Sequence, residues 1–229
     1  MYNEMQKNNN HLWTDSARLS ITKDDLQING LQIFQIQEHF KFGSDAVQLA
    51  NFVKPRKNAV ALDIGSGTGI VPILLAGKLG IKKVFGIEID EQIAQLSRLS
   101  VALNNQQEFI EIIHAPIQKI ECYLKSGSCN IVTSNPPFFA VGSGECSGAK
   151  HIANSRFEHT LTLLDTVLAA KYLLNTGGKF YIIHKIDRLA EVMTQCASHR
   201  LQPKLLKILD KKRFVLQCTK DGKIGLKMG

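Results

Sequence analysis

Three places in the chain carry side chains whose types and spacing can do chemistry: Asp63-Ile64-Gly65-Ser66-Gly67-Thr68-Gly69, Glu88, and Asn135-Pro136-Pro137-Phe138-Phe139. In the last of these, the carboxamide oxygen of Asn135 can accept two hydrogen bonds. Each proline has a fixed φ and pushes the residue before it toward extended backbone. The stretch is therefore stiff, with carbonyl oxygens and the Phe138 ring held at defined angles. That suits the holding of a flat group that bears an amine. A Pro-Pro turn with core phenylalanines is the other reading, and these residues alone leave both open.

The glycine-rich stretch adds a second half to a site. Alternate glycines let the backbone turn sharply and let a ligand lie against it. The stretch joins an apolar strand, 59–64, to a helical pattern, 70–79, whose Pro72 falls in the first turn. That context gives a glycine loop its meaning. The Gly-Lys-Ser/Thr of a phosphate loop is absent. Glu88 follows about twenty residues later at the end of the next strand, where a carboxylate can hydrogen-bond a ribose diol. Its plainer reading is an ordinary strand-end carboxylate. Asp63 at the head of the loop would repel a pyrophosphate and attract a cationic or amine-bearing ligand. S-adenosylmethionine carries a sulfonium, an amino group and a ribose but no phosphate. The residues thus favour a methyl donor over a dinucleotide.

The elements that must position these groups read as alternating strands and helices, the pattern of a parallel sheet with helices on its faces. Strands are predicted at 59–64, 83–89, 109–114, 130–133 and 179–184. Helices are predicted at 45–53, 70–79, 91–104, 117–125, 158–174 and 187–199. Residues 175–178, Asn-Thr-Gly-Gly, read as a helix stop. The tail, 203–209 and 214–218, reads as an antiparallel hairpin, and the alternation at 26–36 around Gly30 as another. Ser44 is a candidate N-cap. Residues 140–154, with Gly142, Ser143, Gly144, Ser147 and Gly148, read as a mobile loop. The expectation is an α/β fold with a doubly wound, mostly parallel sheet and an antiparallel C-terminal hairpin. A flexible segment, 1–25, precedes one domain, 26–229.

A chain of 229 residues with 44% hydrophobic residues suits one globular domain. No apolar run approaches the roughly 20 residues of a membrane span. The polar N-terminus has no signal-peptide core, so a cytoplasmic protein is expected. Five cysteines without a CxxC pair argue against a disulfide framework or a zinc site. The net charge of +8 is compatible with a nucleic-acid partner but does not require one.

Taken together, Asp63-x-Gly65-x-Gly67-x-Gly69, Glu88 and Asn135-Pro136-Pro137-Phe138 resemble the class I S-adenosylmethionine-dependent methyltransferases that act on amino groups. The resemblance implies a Rossmann-like sheet of about seven strands with the last pair antiparallel. More of the chain is similar to one group of that class, the bacterial tRNA(Val) adenine-N6-methyltransferases. The residues that carry this likeness are Ile36-Gln37, then 40–50 from Phe40-Lys41-Phe42-Gly43-Ser44-Asp45 onward, Arg156-Phe157-Glu158 and Gly177-Gly178. It covers roughly residues 24–229. It implies methylation of N6 of adenine 37 in valine tRNA, with no metal. Asn135, Pro136, Pro137 and Phe138 would act on the base, and Asp63, Gly65, Gly67, Gly69 and Glu88 would hold the donor.

The chain also departs from the pattern. No acidic residue follows the third strand, where His114-Ala115-Pro116 stands, so backbone groups must hold the donor's adenine. The strand before Asn135 starts with Asn130 where relatives often have aspartate. In the implied chemistry the Asn135 oxygen and the Pro136 carbonyl accept the two N–H groups of the amine and turn its lone pair outward. Phe138 stacks on a base that has left its own stack. A guanine N2 amine in ribosomal RNA or a glutamine amide in a release factor would fit the same geometry, and a non-catalytic RNA-binding relative is the third alternative. For RNA, Arg200, Lys204, Lys207, Lys211, Lys212 and Arg213, with Lys150, His151 and Arg156, read as a phosphate-binding rim or as a solvated basic face. His114 and His184 at strand ends read as structural.

Overall fold

The computed structural model describes residues 21–36, 44–136 and 161–229. The chain enters on a hairpin of β1 (Ile21–Asp25) and β2 (Gln32–Ile36), paired antiparallel. Five of the residues that sequence reasoning leaves in the flexible segment are therefore a strand. Its half-buried Ile21 and Thr22 alternate too weakly with Lys23 and Asp25 to be read as one alone. The hairpin is fixed to helix α3 (Glu91–Leu103) and the residue after it. Asn104 accepts from the Gln32 N–H and donates to the Gln32 carbonyl, at 2.9 and 2.6 Å. Ser100 Oγ accepts from the Phe34 N–H at 3.0 Å.

The remaining elements are α1 (Ser44–Phe52), β3 (Val60–Ile64), α2 (Ile70–Gly77), β4 (Lys83–Glu88), β5 (Ile110–His114), β6 (Cys129–Ser134), α4 (Leu163–Leu173), β7 (Leu174–Lys185), α5 (Leu189–Ser198), β8 (Leu201–Ile208), β9 (Arg213–Lys220) and β10 (Lys227–Met228). Eight strands form one sheet in the order β10-β8-β9-β7-β6-β3-β4-β5. β9 runs antiparallel to both its neighbours, and the other pairs are parallel. The expected doubly wound sheet and antiparallel tail are thus present. Period-two alternation puts Ala61, Val84 and Ile131 into one core with α1, α2 and α3, while Leu62, Phe85 and Val132 meet α4 and α5 in the other. No helix among the described residues is long and apolar enough to cross a membrane.

Two boundaries differ from the sequence expectation for a local reason. Helix α4 starts at Leu163 because Thr162 and Asp165 form a capping box, Thr162 Oγ1 accepting from the Asp165 N–H at 3.1 Å. The helix stop at 175–178 lies within β7, where the register with β6 jumps between Cys129↔Leu174 and Ile131↔Lys179. The helix at 117–125 is a 3-10 turn, Ile117–Cys122, and α5 is preceded by a shorter one, Ile186–Arg188. The expected mobile loop at 140–154 lies outside the described residues.

Candidate functional site

The chain runs from β3 outward through β4 and β5, then returns to the other side of β3 as β6. Strand order reverses there, and the carboxyl ends of the strands at such a point frame a crevice. Sequence places the chemistry at those tips. Asp63 faces Thr133 and Ile64 faces Ser134 in register, so Gly65 and Asn135 leave adjacent tips. On the other side Ile64 faces Ile87, so Glu88 is next along the same edge. Asn135 is half-buried and Pro136 buried. Pro137 and Phe138, with Lys150, His151 and Arg156, lie outside the described residues.

Asp63 is only 2% exposed. Burial pushes its carboxyl up to about 8, against a hydroxyl donated by Thr133 at 2.5 Å, and the neighbouring Glu88 charge adds to the rise. At neutral pH the group is mostly a neutral acid. Glu88, also buried, is raised by desolvation but held by backbone donors. Its Oε2 accepts from the Gly67 N–H at 2.9 Å, and its Oε1 from Ile89 and Asp90 at 2.9 and 3.0 Å. Glu88 therefore ties the glycine loop to the β4 tip. Oε2, with one donor, keeps further acceptor capacity for a ligand hydroxyl.

The loop itself is shaped by its glycines at two points. Gly69 has φ +89°, and a Cβ there would fall on Ser97 Oγ of α3. Gly67 has φ +54° with open space where a Cβ would stand, and it turns its N–H to Glu88. The loop is pinned to β4 by Gly65 and Ser66 N–H groups, both 3.0 Å from the Ile87 carbonyl. A glycine-rich backbone cradle with only the small Ser66 and Thr68 side chains, flanked by the raised carboxyls of Asp63 and Glu88, fits a donor with a ribose, an amine and a sulfonium. The half-exposed Gly67 and Thr68 leave room for close approach.

Three side-chain roles escaped sequence reasoning, two beside the site and one, that of Asn130, at the other end of the sheet. Thr133 is the partner of Asp63, and its only signal is a polar residue within an apolar strand. Asn130 Oδ1 accepts from the Val60 N–H at 2.8 Å, so the amide in the place of the usual aspartate ties β6 to the start of β3. Asp90 caps α3, its Oδ1 accepting from the Ile93 N–H at 3.0 Å. His184, at the carboxyl tip of β7, is buried and accepts from the Lys185 N–H on Nδ1 at 2.8 Å. Burial, with the Arg188 charge beside it, pushes the imidazole down to about 4. His114 Nε2 lies 3.1 Å from the Ile89 carbonyl at the β4 tip.

The basic rim divides. Lys207, Lys211 and Lys212 are exposed at the carboxyl end of the β8–β9 hairpin. Arg213 is held there by Asp45, by Ser44 Oγ at 3.1 Å and by Asp210 at 2.6 Å. Arg200, paired with Asp221 at 2.7 Å, directly precedes β8 at the opposite end of the sheet. The free rim is smaller than the sequence cluster.

A family model described as the methyltransferase small domain matches residues 36–199, most of the chain. The chain belongs to this family. A relative from Porphyromonas gingivalis, named a tRNA1(Val) (adenine(37)-N6)-methyltransferase, is 32% identical over 142 residues. That match spans 61% of this chain and little more than half, 55%, of the relative's length. A Trichodesmium erythraeum protein of the same name is 28% identical over 189 residues, spanning 79% of this chain and 77% of the relative. Among solved structures, a methyltransferase from Pyrococcus furiosus superposes with a TM-score of 0.65 at 19% identity, covering 85% of this chain and 91% of its own. One from Agrobacterium tumefaciens, described as a predicted O-methyltransferase, gives 0.63 at 21%, covering 80% and 84%. At these identities the likeness is one of fold.

Proposed function

We propose that the chain transfers a methyl group from S-adenosylmethionine to the exocyclic N6 amine of an adenine in tRNA, with adenine 37 of valine tRNA as the target. The observation that carries this reading is the row of strand tips at the switch point: Asn135, then Asp63 with its glycine loop, then Glu88. The names of the relatives support the target nucleotide. The donor supplies an electrophilic sulfonium methyl when bound. Asp63 becomes the counter-charge for its cationic end, Glu88 offers acceptors to its ribose hydroxyls, and the glycine loop lets both lie close. Asn135 accepts one N–H of the adenine amine and the Pro136 carbonyl the other, which turns the nitrogen lone pair out of the ring. Phe138 follows in sequence as the stacking face for the flipped base. Lys207, Lys211 and Lys212, exposed on the same end, are described candidates for a phosphate rim. The proposed tRNA substrate supports a cytoplasmic location.

The test is single-turnover methylation of unmodified valine tRNA, read by nucleoside mass spectrometry. N6-methyladenosine at position 37 is the expected product, and N2-methylguanosine or no RNA product sinks the reading. Asn135→Ala keeps donor affinity and slows transfer about a hundred- to a thousand-fold, the loss expected for one preorganised contact of about 2.7–4 kcal/mol. A slowing within about threefold, under 1 kcal/mol, would leave the Asn-Pro-Pro stretch as a structural turn.

A further inference from the structure

The amino end of the sheet, opposite the site, carries a groove of about 320 Å³ between the loop before β3 and the turn before β4. Arg56, Lys57 and Lys82 line it, with Pro55, Asn58 and Leu79 among the rest, and no lining residue is acidic. We propose that this groove is a second RNA contact, taking the phosphate backbone of a folded RNA whose target base enters at the carboxyl end. The inference rests on the reading that the chain acts on tRNA.

The three cations are exposed, as are Lys54 and Lys83 beside them. Among the described residues, the ion pairs to carboxylates involve none of these five. Lys82 Nζ stands 4.2 Å over the Phe109 ring, which props the ammonium without neutralising it. The rim is built by tight turns rather than loose chain. Asn58 at φ 56° and Gly80 at φ 69° are left-handed, and Ala59 and Gly80 N–H groups bond the Arg56 and Ala76 carbonyls at 3.1 and 3.0 Å. The nearby end of α2 attracts cations, but a helix end amounts to about half a charge, less than three side chains supply.

The lining selects the partner. A membrane surface takes cations flanked by exposed apolar side chains. Here Ala59 and Ile81 are buried and Leu79 is packed on the core. What remains is three cations and one amide, with the exposed Pro55 as the apolar exception, on a concave rim that suits a phosphate chain. The five residues of β3 span about 17 Å, and loops extend the molecule at both ends. An isolated anticodon stem-loop engaged at the carboxyl end is expected to stop short of the groove, and the longer arms of an intact tRNA to reach it.

Charge reversal tests this with the full chain. In the combined variant Arg56→Glu, Lys57→Glu, Lys82→Glu, affinity for an unmodified valine tRNA transcript falls by about tenfold or more at about 150 mM salt. The slope of log affinity against log salt flattens by about 2–3, because each lost phosphate contact removes about 0.7–0.9. Affinity for the isolated anticodon stem-loop changes by less than about twofold. The corresponding Gln variant moves in the same direction by a smaller factor, which guards against a folding defect. Unchanged affinity and slope on the intact tRNA overturn the proposal, as does an equal loss on both RNAs. Loss of binding to anionic vesicles with tRNA binding intact assigns the groove to lipid and overturns it as well. Binding is read here without methylation, so failure to methylate adenine 37 would count against the functional reading and not against the groove.

Discussion

Asp63 shows how one buried residue can make donor binding depend on pH. Its carboxyl is raised to about 8 chiefly by desolvation, and among the described residues it is the Thr133 hydroxyl that favours the charged form. In the proposed reading a cationic donor lowers that carboxyl again, so binding at pH 7 is expected to release close to one proton. Titration calorimetry in buffers of different ionisation heat measures the release, and a proton count near zero would show that Asp63 does not face the donor's charge. Thr133→Val conserves the buried shape but removes the hydroxyl. It weakens the donor at pH 7 by about tenfold, the loss of a hydrogen bond to a charged group. The weakening shrinks toward pH 9, where the carboxylate is present in the free protein.

At the scale of elements, the antiparallel β8–β9 hairpin does more than finish the sheet. Arg213, at the start of β9, reaches the first turn of α1 through Asp45 and Ser44 and also closes on Asp210. The side chains of Arg213 and Asp45 are 29% and 14% exposed, so solvent screens the pair only in part. Arg213→Ala is expected to lower stability by about 1–2 kcal/mol, with about 1 kcal/mol recovered as coupling to Asp45→Ala in a double-mutant cycle. Coupling near zero would mean that α1 is held by its apolar face alone. Elements such as β3, β4 and α3 were legible because apolar period and caps lie within one short window. The loop glycines, Asp63, Glu88 and Asn135 were legible because each sits next to a strand end. The roles of Thr133, Asn130 and Arg213 were not, since each depends on register or on a partner tens of residues away. Strand β1 was missed because its outer face is charged, and β10 because two residues have no period.

Across the whole molecule, two buried groups with opposite shifts shape stability against pH. Asp63 has a folded value near 8 against an ordinary 3.8. The folded state keeps a proton that the unfolded chain has lost, so its contribution is full below 3.8 and is lost as pH rises through 8. His184 has a folded value near 4 against 6.5. Its contribution is full above 6.5 and is lost as pH falls through 4. Between about 4 and 6.5 the two slopes oppose each other, with Glu88, also raised, tilting the balance in the direction of Asp63. Between 6.5 and 8 the His184 slope fades, and Asp63 lowers stability by up to about 1.4 kcal/mol per pH unit, the slope of one proton, with the raised Glu88 acting in the same direction. Urea unfolding of the donor-free protein at half-unit steps measures this. Asp63→Asn removes the fall above pH 6.5 while leaving the acid limb. His184→Gln removes the opposing slope, so stability rises as pH drops from 6.5 toward 4. A saturating donor that pairs with the Asp63 carboxylate flattens the alkaline limb, because the bound state no longer keeps the proton. An alkaline limb that persists unchanged in Asp63→Asn would place the titrating group elsewhere and remove the electrostatic basis for putting a cation beside the glycine loop.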